Sequence, residues 1–173
     1  MRRRSDPRSH AEKPTPRGSA RDRALLLLSV RWRSRAELAR RLRAAGFPPD
    51  EVDETLEGLE RAGLIDDERF ASELVRDQTE RRRASGRAIR GALWEKGTTG
   101  EVADQALAAA GDESERAAEL ARARAIRLSG LAPEAAYRRL FGLLTRRGYP
   151  PSVAREATRS ALAEVLPDAE DAD

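Results

Sequence analysis

Apolar residues recur along most of this chain at intervals of three and four, the spacing of one face of an α-helix. Leu38, Leu42 and Ala45 form one stripe, Val52, Leu56 and Leu59 a second, and Phe70, Ala71, Leu74 and Val75 a third. The pattern continues through Ile89 with Leu93, and through Val102, Ala106 and Ala110. It runs on through Ala117, Leu120, Ala121 and Leu128, then Ala136, Leu140, Leu143 and Leu144, and lastly Val153, Ala157, Ala161 and Val165. No segment reads as a strand. The pattern predicts an all-α protein of about nine helices.

Start and stop signals punctuate these stripes. Gly63-Leu64-Ile65-Asp66-Asp67-Glu68-Arg69-Phe70-Ala71 closes one helix and opens the next within nine residues. Gly63 suits the left-handed position after a helix end, and Asp66 or Asp67 can accept from free N–H groups at the next helix start. Leu64 and Ile65 lie between them, so the joint is expected to be packed. Ser34 and Glu37 have the capping-box spacing, as do residues 98–101, Thr-Thr-Gly-Glu. Asp112 opens another helix, Pro133 fits a first helical position, and Pro150-Pro151-Ser152 restarts the chain before Val153.

The punctuation repeats. Leu42 to Gly46, Leu93 to Gly97 and Leu144 to Gly148 align with their glycines 51 residues apart, and Leu38, Ile89 and Leu140 stand four residues before each leucine. A further helix precedes each pair. The expected architecture is three tandem three-helix units, helix-turn-helix-like, at residues 22–65, 66–111 and 112–166. A unit of this size buries too little surface to be secure alone, so neighbours should pack into an elongated, slightly curved body.

Composition sharpens this picture. The chain has 173 residues, 36% of them charged and only 4% aromatic, so its interior must be built from Ala, Leu and Val. All but two of the 33 basic residues, Lys13 and Lys96, are arginine, which weakens arginine abundance alone as a sign of phosphate binding. Residues 1–21 carry seven basic and two acidic residues and no apolar periodicity, and residues 167–173 carry four acidic ones. Both are read as disordered tails, leaving a formal charge of +2 on residues 22–166. There is no cysteine and no long apolar run, which points to a reduced cytoplasmic setting and no membrane span.

Enzyme chemistry finds little support. The sequence has no Gly-rich phosphate loop, and its single histidine, His10, lies in the tail. Asp66 and Asp67 are read as caps and not as metal ligands, and no cofactor is expected. Arginine, in contrast, recurs on equivalent helices. Arg40 and Arg41, Arg87 and Arg90 with Lys96, and Arg138 and Arg139 with Arg147 would form a broken positive stripe able to meet a partner's phosphates or carboxylates. The alternative is a set of solvated faces paired with local Glu and Asp. Trp32, Trp94 and Tyr149, beside helix ends, are expected in the core instead of stacked on bases.

Arg31 to Leu38 with Arg41-Leu42, then Gly63 to Ala71, then Leu93-Trp94-Glu95-Lys96-Gly97, and last Arg147-Gly148-Tyr149 together resemble the RecX family of recombination regulators. The resemblance runs in order from residue 22 to about 165, with Ala92 and Thr98 departing from the family's usual Glu and Ile. It implies a non-enzymatic modulator of the RecA recombinase in DNA repair, homologous recombination and the SOS response. Such a protein would lie in the groove of the RecA filament on single-stranded DNA and touch more than one protomer. It would inhibit strand exchange, ATP hydrolysis and co-protease activity. On this reading the chain is a monomer, single- or double-stranded DNA is a further candidate partner, and Ser34, Glu37, Gly63, Asp66, Asp67, Phe70, Gly97 and Gly148 are structural. A direct duplex-binding regulator and an inert helical scaffold are the alternatives.

Overall fold

The computed structural model describes residues 18–166. Among these are nine α-helices and no strand. In order they are α1 (Ala20–Val30), α2 (Arg35–Ala44), α3 (Pro49–Arg61), α4 (Asp67–Glu80) and α5 (Gly86–Glu95). Then come α6 (Gly100–Ala108), α7 (Glu113–Ala125, continued by a 3-10 turn at Ile126–Leu128), α8 (Pro133–Arg146) and α9 (Pro151–Ala163). The basic stretch 1–17 and the acidic stretch 167–173 lie outside the described residues. Helix α1 starts at Ala20, just inside the stretch read as tail, because the Ser19 hydroxyl accepts from the Asp22 N–H and supplies a cap. Its buried stripe begins with the small Ala20 and Ala24, which leave a weak apolar signal.

The chain divides into two compact units, one ending at Ile65 and the other starting at Asp66. The first holds α1, α2 and α3 around Leu38, Leu42, Phe47, Val52, Leu56 and Leu59. Its last helix stops where Gly63, at φ +67°, donates to the Glu60 carbonyl while Leu64 donates to Leu59. In the second unit Asp66 caps α4, its carboxylate accepting from the Arg69 N–H at 2.9 Å. Phe70 and Ala71 are buried one turn on.

The sequence repeat is a structural repeat. Leu38 and Leu42, Ile89 and Leu93, and Leu140 and Leu144 are each at most 1% exposed. Burial of each such side chain contributes about 1.5–3 kcal/mol. Each helix then ends alike: Gly46, Gly97 and Gly148 have φ of 94°, 77° and 88°. The following residue, Phe47, Thr98 or Tyr149, donates back to Leu42, Leu93 or Leu144, which satisfies a carbonyl that the helix leaves open.

Within the second unit, the turn between α4 and α5 is gripped by residues from α7 and the α8–α9 turn. Arg116, buried on α7, donates through Nε to the Ala84 carbonyl and through a terminal nitrogen to the Ala110 and Gly111 carbonyls. The Ser85 hydroxyl donates to the Arg147 carbonyl at 2.9 Å, and the Gly86 N–H donates to the Glu113 carboxylate at 2.7 Å. These bonds pin carbonyls and N–H groups of a turn that no helix satisfies. The two three-helix halves of the unit, α4–α6 and α7–α9, are joined by them.

Two expectations need correction. Thr99 precedes α6 but its hydroxyl makes no capping bond, and Gly100 enters the helix at φ +63°. Trp94 is 72% exposed and Trp32 is also exposed, whereas Tyr149 is buried. Trp94 follows the core residue Leu93 directly, so the helical step of about 100° turns it off the buried stripe.

Candidate partner-binding surface

The three arginine clusters fare differently. On α2, Glu37 is buried beneath the end of α1, and its Oε1 receives Arg31 at 2.6 Å, Arg41 at 3.0 Å and also Arg33. Ser34, the cap of α2, accepts from the Glu37 N–H and so fixes the carboxylate's helix position. Arg33 is buried too and donates to the Leu27 carbonyl. This cluster holds α1 and α2 together, and Arg41 is partly committed to it. Arg40 points outward and is exposed.

On α5, Arg87, Arg90, Gly91 and Trp94 lie three or four residues apart and are all exposed, so they form one outward face. Arg90 is paired with Asp104 of α6 at 2.9 Å. Lys96 sits half-buried at the cap of α5. Arg87 lies beside the turn that carries Gly148.

The densest positive surface is built by α7 and α8. A cleft of about 630 Å³ is walled by Arg138, Arg139 and Arg146 of α8 and by Arg124 of α7 with Arg127 just beyond it. Its floor is Leu128, Ala135, Leu140 and Leu143. None of these five guanidinium groups is in an ion pair among the described residues. Arg124 also lines a second cleft of about 340 Å³, with Leu120, the Arg81 to Arg83 turn and Arg147. There the charges are partly answered. Arg83 meets Glu119 at 2.9 Å, and Arg81 and Arg82 reach Asp77 at 3.5 Å.

Of the arginines expected to meet a partner, the structure therefore gathers Arg138, Arg139 and Arg147 onto adjoining clefts. Arg87 and Arg90 stand on a separate helix face, and Arg40 and Arg41 belong to the first unit. Arg124 and Arg127 were not singled out by sequence. Their three-residue spacing places them on one helix face, but only the packing of α8 beside α7 turns that face into a cleft wall.

No group of three His, Cys, Asp or Glu among the described residues is placed to hold a metal ion. No helix among them is long and apolar enough to cross a membrane.

Fold and surface together define an all-helical repeat protein with arginine-lined clefts. Residues 20–59 match the family model of the RecX first three-helix domain, and residues 66–107 that of the RecX second three-helix domain. The chain is 40% identical over 161 residues to the regulatory protein RecX of Corynebacterium efficiens, covering 88% of this chain and 76% of that protein. It is 39% identical over 169 residues to the regulatory protein RecX of Mycolicibacterium vanbaalenii, covering 92% and 91%. The crystal structure of RecX from Lactobacillus salivarius shares the fold at a TM-score of 0.72 and 24% identity, covering 82% of this chain and 94% of that one. A crystal structure of regulatory protein RecX superposes at 0.67 and 26% identity, covering 82% of this chain and 70% of that one. The chain belongs to the RecX family of regulatory proteins.

Proposed function

We propose that this chain is a non-enzymatic regulator that binds the filament of a RecA recombinase on single-stranded DNA and lowers its strand-exchange, ATPase and co-protease activities. Family membership across about nine-tenths of the chain carries the reading. The surface chemistry agrees with it. Arginines recur on α2, α5 and α8, one helix in each of three successive helix triplets. Several individually weak contacts to successive protomers add through effective concentration. Arg40, Arg41, Arg87, Arg90, Lys96, Arg138, Arg139 and Arg147 are the contact residues on this reading. The chain works as a monomer in the cytoplasm, where it meets the recombinase.

The reading is tested by sedimentation. Filaments assembled on long single-stranded DNA with a slowly hydrolysed ATP analogue should carry the chain into the pellet to a saturating ratio. Arg87→Ala/Arg90→Ala and Arg138→Ala/Arg139→Ala should each lower that ratio at fixed concentration. A chain left wholly in the supernatant, under conditions where the filament pellets, would remove the reading.

A further inference from the structure

The arginines that wall the larger cleft outnumber the acids near enough to answer them. Helix α8 carries a single carboxylate, Glu134, against Arg138, Arg139 and Arg146. The acids of α7 lie in its first half, where Glu113 accepts from the Gly86 N–H and Glu119 from Arg83. Its second half, which walls the cleft, carries Arg122 and Arg124, with Arg127 just beyond, and no acid. Guanidinium groups gathered around one cleft repel one another, and an anion seated among them removes that cost.

The fold brings a source of anions to the edge of this cleft. Asp112, Glu115 and Ala118, at the start of α7, line a small cleft with Val153, Ala157 and Ser160 of α9, so the two helices lie side by side and run in the same direction. Their ends therefore meet. Leu128, beyond α7, and Val165 and Leu166, beyond α9, pack on one apolar core with Leu140 and Leu143. Leu128, Leu140 and Leu143 are also the floor of the arginine cleft. The residues that follow Leu166, Pro-Asp-Ala-Glu-Asp-Ala-Asp at 167–173, carry four carboxylates. Seven extended residues reach about 23–25 Å, roughly twice the diameter of a helix with its side chains. That is enough to pass round the end of α7 and lie along the cleft. Tethering holds the carboxylates near the arginines at an effective concentration of about millimolar, so individually weak pairs suffice.

We infer that the acidic stretch 168–173 of this same chain docks in the arginine cleft of α7 and α8, its carboxylates seated among Arg124, Arg127, Arg138, Arg139 and Arg146. The stretch thereby covers the cleft until an anionic partner displaces it. The contact stands independently of the proposed function. The competition rests on that function, because Arg138 and Arg139 are also filament contacts there.

The chain contains no cysteine, so Ala172→Cys places a single nitroxide label on the acidic stretch of the full chain. Amide signals of the cleft, from Arg124 to Leu128 and from Ala135 to Arg139, should lose at least half their intensity to the label's paramagnetic broadening. Those at the other end of α7 and α9, Ser114 and Val153 to Glu156, should keep theirs. Asp168→Asn/Glu170→Gln/Asp171→Asn/Asp173→Asn neutralises the stretch, leaves every described residue in place, and should restore the cleft signals at least twofold. Raising salt from about 0.1 M to about 1 M, which shortens the screening length from about 10 Å to about 3 Å, should do the same. Cleft broadening unchanged by neutralisation, or broadening confined to the end of α9, would overturn the inference. Equal broadening of an unlabelled chain mixed with the labelled one would overturn it in favour of contact between two copies. Competition is read separately, by pelleting with the filament. The neutralised chain should reach half-saturation at a concentration at least threefold lower, because the covered fraction reduces apparent affinity in proportion. Equal half-saturation of the two chains would overturn the competition. A filament that pellets neither chain removes the proposed function, and the broadening still decides the contact.

Discussion

The hydroxyl of Tyr149, in the turn after α8, donates to the backbone carbonyl of Arg83, in the turn before α5. Sixty-six residues of sequence separate the two. Arg83 is the one described non-glycine residue with positive φ, at 44°. An L-residue there is strained by about 1–2 kcal/mol unless its surroundings hold it. Tyr149 holds its carbonyl and Glu119 its guanidinium. Tyr149→Phe should therefore destabilise the full chain by about 1–2 kcal/mol in urea unfolding, since the ring still packs but a partly buried carbonyl loses its donor.

The same tyrosine fixes a pH dependence. Burial pushes its hydroxyl pKa above the ordinary 10.0, with Glu113 adding to the rise and Arg116, Arg147 and Arg83 opposing it. A folded pKa above the unfolded one means that the stabilisation is fully present below pH about 10 and is lost as pH rises through the folded value. Wild type minus Tyr149→Phe, measured from pH 8 to 11, should shrink only above about pH 10. A difference constant across that range would contradict the assignment.

Gly148 tests the packing of the second unit's two halves. Its φ of +88° disfavours any side chain, and a Cβ there would stand 2.7 Å from the Ser85 oxygen. Gly148→Ala should cost about 1–3 kcal/mol, part backbone strain and part collision. Adding Ser85→Ala removes the collision, so a double-mutant cycle should return a coupling of about 1 kcal/mol or less, with the backbone part unrecovered.

Glu37 is the charge centre of the first unit. Arg33 beside it is buried, while Arg31 and Arg41 are about half exposed and contribute little. Glu37→Gln leaves Arg33 buried without its counter-charge and should cost about 3–5 kcal/mol. Glu37→Gln/Arg33→Met should recover most of that in thermal or urea unfolding. No recovery would mean that Glu37 acts mainly through Ser34 and the cap.

Asp66 is a simpler case. Its carboxylate accepts from the Arg69 N–H at the start of α4, and Asp66→Ala should cost about 0.5–2 kcal/mol. Asp66→Asn should cost less than half as much, because an amide oxygen still accepts.

The helices and their repeat are legible in the sequence because both rest on local rules: a stripe of period 3.6 and a glycine where the chain must turn left-handed. Leu38, Ile89 and Leu140 announce themselves this way. Trp94 does not, because residue type suggests burial while its place next to Leu93 decides exposure. Glu37 is legible as a capping residue but not as the meeting point of three arginines, two of which lie outside its helix. The bonds from Arg116, Ser85 and Tyr149 span 32, 62 and 66 residues and end on backbone atoms, which leave no mark in side-chain pattern. The arginines of α8 stand out by recurrence. Their union with Arg124 and Arg127 is a product of helix packing.

The central claim, regulation of a RecA recombinase, is tested most directly by titrating the full chain into RecA-coated single-stranded DNA and following ATP hydrolysis. Inhibition should be progressive and complete near or below one chain per recombinase protomer, and weaker for Arg87→Ala/Arg90→Ala/Arg138→Ala/Arg139→Ala. Unchanged hydrolysis at equimolar chain, with the filament intact, would contradict it.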